Sequence, residues 1–238
     1  MSLGTVLVVE DTEEIRVLIT TVLTRVGLDV RAVGTAAEAR TALDEADPDV
    51  IVLDLGLPDA DGTELCRELR ARTHAYVLML TARADEVDVL VGLAVGADGY
   101  MAKPFSPREL TARVQTFLRR PHAAVPAAPA ADVVTARVST RIDVADLEVE
   151  TDTREVRVGG VDVPLTRTEF DLLMALVTRP GKVLQRETLL REVWQSDWEG
   201  SLRLVEAHMS NLRRKLSGAG LVEPSIRTVR GVGYRLVG

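Results

Sequence analysis

Residues 50–62 read VIVLDLGLPDADG. Four apolar residues run together, stop at Asp54, and give way to a stretch punctuated by Gly56, Pro58 and Gly62. A short continuous apolar run bounded by turn residues fits a strand buried on both faces, as strands of parallel sheets are. The same pattern recurs at 6–9 and 76–80, and more weakly near 30–33 and 100–102. Amphipathic stretches separate the runs. In the first of them Ile15, Leu18, Ile19, Val22 and Val26 fall on one helical face. Thr12 is placed to cap that helix, Glu13 and Glu14 stand in its first turn, and Gly27 is placed to end it. Five strand–helix units predict an α/β fold, a five-stranded doubly wound parallel sheet, over residues 1–120.

An open parallel sheet binds ligands beyond the carboxyl ends of its strands, where the strand order reverses. Glu10 and Asp11 follow the first run, Asp54 ends the third, Thr81 follows the fourth and Lys103 follows the fifth. An acid at a strand end is ordinarily a helix cap, and a lysine there is ordinarily solvated. Their joint placement on one edge is what points to chemistry. Glu10, Asp11 and Asp54 carry three negative charges against one positive charge on Lys103, and carboxylates about 4 Å apart repel by ~4 kcal/mol at an effective dielectric near 20. A divalent cation balances that charge. With oxygen donors alone, Mg2+ is the expected ion. Asp54 then becomes a nucleophile toward a phosphoryl donor, with Lys103 and the Thr81 hydroxyl placed to stabilise phosphoryl oxygens.

Outward from this half the composition changes. Residues 121–139 are rich in Ala and Pro without periodicity and predict a semi-extended linker. Residues 140–238 form a second domain of another kind. Short alternating strands are expected at 147–150, 155–158 and 161–165, with a hairpin turn at Gly159-Gly160. Thr166 and Glu169 form a T-x-x-E capping box ahead of a helix through Val177. Helices near 186–194 and 203–216 follow, then a hairpin over 226–237 turning at 231–233. On the helix of 203–216, Val205, Met209, Leu212 and Leu216 make an apolar stripe. Arg203, Ser210, Asn211 and Arg214 fall opposite, with Arg213 at the flank: a polar face suited to a major groove. Arg230, two residues after Thr228, opens a Gly-x-Gly turn and is placed to enter a narrow minor groove.

Bulk properties agree with two soluble domains of different task. The net charge of −7 lies wholly in residues 1–120, whereas residues 203–238 hold seven basic and two acidic residues. No apolar run approaches the ~20 residues a bilayer span needs, and no basic leader precedes an apolar core, so a cytoplasmic, non-membrane protein is expected. The single cysteine, Cys66, excludes an intrachain disulfide and a cysteine metal cluster, and reads as a small buried filler.

The motifs VLVVEDTEEIR, VIVLDLGLPDADG, VLMLTA and GADGYMAKPFSPREL resemble those of response-regulator receivers over residues 4–120. The resemblance implies that Asp54 is the phosphoacceptor. Asp11 would hold Mg2+ directly, Glu10 through water, and Gly56 through its carbonyl. Thr81 and Tyr100 would form a switch pair, and the Lys103–Pro104 bond would be cis. The stretches RTEFDLLMALVTRPGKVLQRETLLREVW, VEAHMSNLRRKL and IRTVRGVGYRLVG resemble the winged-helix effector domain of OmpR/PhoB-type regulators over residues 145–238. That resemblance implies base contacts from Asn211 and Arg213, phosphate contacts from Arg203 and His208, and a wing arginine in Arg230. His208 reads equally as an interior histidine. A sensor histidine kinase and double-stranded DNA are the implied partners, with RNA polymerase meeting the loop 195–201, where Trp198 reads as a contact or as packing. A phosphatase of the dehalogenase type is rejected for want of a D-x-D near the N-terminus. A receiver-like scaffold without phosphorylation is opposed by the full set Asp54, Thr81 and Lys103.

Receivers of this family dimerise through the helix before the fifth strand, that strand and the helix after it, using cross-subunit ion pairs. This chain departs there. The family's basic residue is Val89 here, its acidic residue is Gly99, and a second basic residue is Gln115. Asp98, Glu109 and Arg113 are thereby expected to lose partners, unless Glu109 and Arg113, four apart on one helix, pair with each other. Receiver self-association on phosphorylation or on DNA is expected to be weak, or to use altered contacts near Val89 and Leu93.

Overall fold

The computed structural model describes residues 3–82, 92, 95–119, 141–194 and 202–238. The linker, Val89, Leu93 and the loop 195–201 with Trp198 lie outside the described residues. Of two compact units, the first holds residues 3–119 together with 194 and 202–208, and the second holds the other described residues from 141 onward.

The first unit runs β1 (Thr5–Val9), α1 (Glu13–Arg25), β2 (Asp29–Val33), α2 (Ala36–Glu45), β3 (Val50–Asp54), α3 (Gly62–Arg70), β4 (Tyr76–Thr81), β5 (Gly99–Ala102) and α4 (Pro107–Arg119). The sheet order is β2-β1-β3-β4-β5 and every pairing is parallel. β1 has β2 on one side and β3 on the other, so strand order reverses at β1/β3. Residues 50–54 and 76–81 are buried throughout, which is why they read as unbroken apolar runs.

Local chemistry sets the helix starts. Asp61 caps α3, accepting from the backbone N–H of Thr63 (2.7 Å) and Glu64 (3.2 Å). Thr35 caps α2 through Glu38 N–H, while Asp59 accepts from Ala36 N–H (2.9 Å) and Ala37 N–H (3.0 Å). The carboxyl of Asp59 is held below the usual range by those two bonds. Thr12 is the N-cap of α1, but its side chain makes no cap hydrogen bond. Its hydroxyl donates to Asp11 Oδ1 instead (3.2 Å), which corrects the expected cap. The buried face of α1 is also shifted. Ile19 and Leu23 are fully buried, whereas Leu18 is 41% exposed. The helix turns about 100° per residue, so Leu23 shares Ile19's face one turn on and Leu18 sits at the stripe's edge. Cys66 is buried in the core cluster and its thiol is pushed up to about 11 by burial, an inert filler.

The second unit opens with an antiparallel sheet β6 (Arg141–Val144), β7 (Leu147–Glu150), β8 (Glu155–Val158) and β9 (Val161–Asp162). β9 stops early against the expectation for 161–165, because Pro164 has no N–H to donate. Then come α5 (Arg167–Val177), β10 (Leu184–Gln185), α6 (Arg186–Trp194), α7 (Leu202–Gly218), β11 (Ser225–Val229) and β12 (Gly233–Val237). The Thr166/Glu169 capping box forms as its spacing predicts. β12 lies between β10 and β11, and the β11–β12 hairpin is the wing. A Cβ on Gly233 would lie 1.9 Å from the Leu184 carbonyl oxygen, so only glycine lets β12 pass β10 there.

Candidate functional site

The strand register builds the acidic pocket. Val9 pairs with Leu53, so Glu10 and Asp54 emerge side by side at the β1/β3 crevice. Asp54 pairs with Leu80 and Thr81 with Ala102, which brings Thr81 and then Lys103 to the same edge. One atom of each of Glu10, Asp11 and Asp54 falls within 4.8 Å of the others. Lys103 Nζ stands 2.9 Å from Asp54 Oδ2 and within 2.9 Å of both Glu10 oxygens. Glu10 is fully buried, Asp54 is 4% exposed and Asp11 is open to solvent, so the cluster has one accessible side. Burial pushes the Glu10 carboxyl above its ordinary range, an effect that the Lys103 hydrogen bond opposes but does not cancel. Burial pulls the Lys103 ammonium down, yet its bonds to Glu10 and Asp54 hold it above its ordinary value, so it stays charged.

Backbone contacts keep these groups in place. Arg16 Nη1 donates to the carbonyls of Glu10 (2.7 Å) and Asp11 (3.0 Å), fixing the loop that carries both acids. A Cβ on Gly62 would lie 2.5 Å from Leu55 Cα and 2.9 Å from the Asp54 carbonyl oxygen, so glycine is required for α3 to start this close to Asp54. Gly56 lies beside the Asp54 carboxylate, where a Cβ would sit 3.5 Å from Oδ2. Thr81 is buried, Tyr100 packs on the core cluster as a partly buried ring, and Lys103–Pro104 is cis. Three carboxylates and one ammonium fit a hard divalent cation, and among the described residues the cluster's ligand atoms are all carboxylate oxygens.

The basic face lies on α7 and the wing. Val205, Met209, Leu212 and Leu216 are buried as the helical wheel requires. Arg203, Ser210, Arg214, Thr228 and Arg230 are exposed and Arg213 is half-buried. Asn211 departs from expectation. It is only 5% exposed, and its Oδ1 accepts from Arg214 Nη2 (3.0 Å). On the wheel it lies about 20° from Leu204, at the flank of the apolar stripe rather than opposite it. His208 is fully buried with its ring 5.5 Å from that of Trp194, as an interior histidine would be.

Asp98 is the clearest correction. It is fully buried and ion-paired to Arg70 of α3, and its Oδ2 also accepts from Val77 N–H (2.8 Å). Arg70 donates further to the carbonyls of Gly96 (2.7 Å) and Ala75. Asp98 is therefore committed within its own subunit. Glu109 and Arg113 pair with each other (2.8 Å). Gly99 has its own reason: a Cβ there would stand 3.3 Å from Phe117 Cζ, and the Phe117 ring stacks on Tyr76 at 5.0 Å.

Among the described residues no helix is long and apolar enough to cross a membrane. Residues 6–115 match the family described as response regulator receiver domain, and residues 160–236 match that described as transcriptional regulatory protein, C terminal. The chain is 40% identical over 232 residues to the alkaline phosphatase synthesis transcriptional regulatory protein PhoP of Bacillus subtilis, covering 97% of this chain and 95% of PhoP. It is 39% identical over 230 residues to the DNA-binding response regulator MtrA of Mycobacterium tuberculosis, covering 97% and 95%. Among solved structures, a RitR mutant matches at a TM-score of 0.77 with 25% identity, over 99% of this chain and all of that one. DrrB of Thermotoga maritima, described as an OmpR/PhoB homologue, matches at 0.50 with 30% identity over the whole of both chains.

Proposed function

The chain belongs to the OmpR/PhoB-type response regulators, and on that premise we propose that phosphorylation of Asp54 by a partner histidine kinase controls sequence-specific binding of duplex DNA by α7 and the wing. The observation that supports it most is the edge cluster: an almost buried Asp54 held against Lys103 beside two further carboxylates. An oxygen of Asp54 forms the bond to phosphorus as the donor's own bond to phosphorus breaks, leaving an acyl phosphate. Lys103 then turns from Glu10 and Asp54 toward the new phosphoryl oxygens, and the Thr81 hydroxyl donates to one of them. Glu10, Asp11, Asp54 and the Gly56 carbonyl would hold Mg2+, which when bound supplies the charge that lets an anionic donor approach three carboxylates. Tyr100 of the edge strand β5, which pairs with Met79 two residues before Thr81, is the proposed partner in the switch.

On the DNA side, Arg213 and Arg230 are proposed to read bases and grooves, with Ser210, Arg214 and Thr228 at the same face and Arg203 on the backbone. The test is duplex selection from a random pool by the full chain, with and without acetyl phosphate. A pool that stays random under both conditions would end the proposal. With the selected duplex in hand, Arg213→Ala is expected to cost about 1–3 kcal/mol at one base pair and to relax specificity there. Arg203→Ala should weaken selected and scrambled duplexes alike and lower the salt slope by about one. Equal losses on both duplexes for Arg213→Ala would remove its base-reading role.

Receiver self-association is proposed to be weak. Asp98 and the Glu109–Arg113 pair are satisfied within one subunit, so ion pairs across a dimer would have to break existing ones. Two protomers held on adjacent half-sites would supply the missing cooperativity. Sedimentation of the phosphorylated chain without DNA should show monomer at low micromolar concentration. A dimer there that Arg113→Glu disrupts would contradict this.

A further inference from the structure

Arg213 of α7 is held by the wing before any DNA is present. Its Nη2 donates to Thr228 Oγ1 (2.9 Å), and its guanidinium carbon lies over the Tyr234 ring, 5.2 Å from the centroid. Thr228 and Tyr234 are directly opposite in the β11–β12 register, so their side chains share one face of the wing sheet. The same ring carries the guanidinium of Arg186 at 5.1 Å. Arg186 is the first residue of α6, and its backbone N–H donates to the Val232 carbonyl in the wing turn (3.3 Å). Tyr234 is 4% exposed, on the central strand of its sheet. One buried ring therefore joins the start of α6, α7 and the wing.

We infer that Tyr234, with Thr228, is a positioning residue that fixes Arg213 in the orientation it uses on DNA. The inference rests on the proposed role of Arg213 as a base-reading arginine. The chemistry suits that task. A free arginine samples many rotamers, and ordering it on binding weakens association, whereas a pre-ordered fork loses little. A carboxylate would order the guanidinium too, but it would compete with DNA for the same N–H groups. A ring face attracts the cation through its quadrupole and consumes no donor.

Two measurements on the full chain decide it. The first needs no DNA: the Nε–H resonance of Arg213 in a nitrogen-15-labelled sample. A ring-shifted, slowly exchanging signal is expected in the unsubstituted chain and in Tyr234→Phe, and a free-arginine signal in Tyr234→Leu. The second uses the duplex selected by the unsubstituted chain and a scrambled duplex of equal composition. Tyr234→Leu should lose roughly five- to tenfold on the selected duplex, the scale of a half-buried cation–π contact, and less on the scrambled one. Combined with Arg213→Ala it should cost nothing further, because the residue it positions is gone. Losses that simply multiply in the double variant, or an Arg213 resonance unmoved by Tyr234→Leu, would overturn the inference. Should Tyr234→Leu fail to fold, Thr228→Val keeps the ring, removes only the hydroxyl, and should lower specific affinity in the same Arg213-dependent way. A chain that selects no duplex would sink the DNA reading, while the Arg213 resonance would still report whether the clamp exists.

Discussion

Asp54→Asn is expected to abolish phosphoryl uptake from acetyl phosphate entirely, where the unsubstituted chain gains one phosphoryl mass. Asp54 is the acid of the cluster that is both within 2.9 Å of Lys103 and still slightly open to solvent. Glu10 also contacts Lys103, but it is wholly buried at the back of the pocket, and Asp11 stands on the solvent side. Removing divalent cations with EDTA should have the same effect as the substitution, because an anionic donor would then face an excess of negative charge with only Lys103 to offset it. Intact-mass spectrometry of the two chains, with and without EDTA, is sufficient. Uptake by the Asp54→Asn chain, or unchanged uptake in EDTA, would place the acceptor elsewhere.

The second large effect concerns stability. Arg70→Ala should lower the stability of the first unit by about 3–5 kcal/mol, the usual result of breaking a buried ion pair by removing one partner. Asp98 has no exposure, and Arg70 satisfies its charge while also donating to the Gly96 and Ala75 carbonyls. Adding Asp98→Asn should recover part of the loss, since the stranded group would then be neutral while its oxygen could still accept from Val77 N–H. Hydrogen exchange reads the effect locally. Protection in β4 and β5 should fall in Arg70→Ala and partly return in the double variant, while protection in β12 should not move. A loss below about 1 kcal/mol would mean that the pair adds little to the fold.

The two halves of the chain were not equally legible. The receiver was legible because a buried parallel sheet writes itself as short apolar runs, and the residue that ends each run is the one its ligand edge displays. That is how the sequence alone places Glu10, Asp54, Thr81 and Lys103 together. Asp98 could not be read this way. Its partner Arg70 lies 28 residues away, at the end of α3, and nothing in the local pattern separates a surface aspartate from a buried one. The same holds for Arg213 and Tyr234: the wheel set Arg213 at a flank, but only the closure of the wing shows what stands beside it. Asn211 was misplaced because a wheel treats polar residues as outward, whereas this one lies near the apolar stripe and holds Arg214. The strands Arg141–Val144 and Leu184–Gln185 were missed for different reasons. The first abuts a run of Ala- and Pro-rich sequence, and the second is two residues long, below any usable period.

The most direct test of the whole account is the affinity of the full chain for its selected duplex, measured before and after acetyl phosphate treatment, in the unsubstituted chain and in Asp54→Asn. Coupling between two sites in one protein commonly amounts to about 1–3 kcal/mol, or roughly 5- to 150-fold. Phosphorylation should tighten binding by the unsubstituted chain within that range, and Asp54→Asn should not respond at all. Equal affinities in every arm, or a response that survives the loss of Asp54, would contradict it.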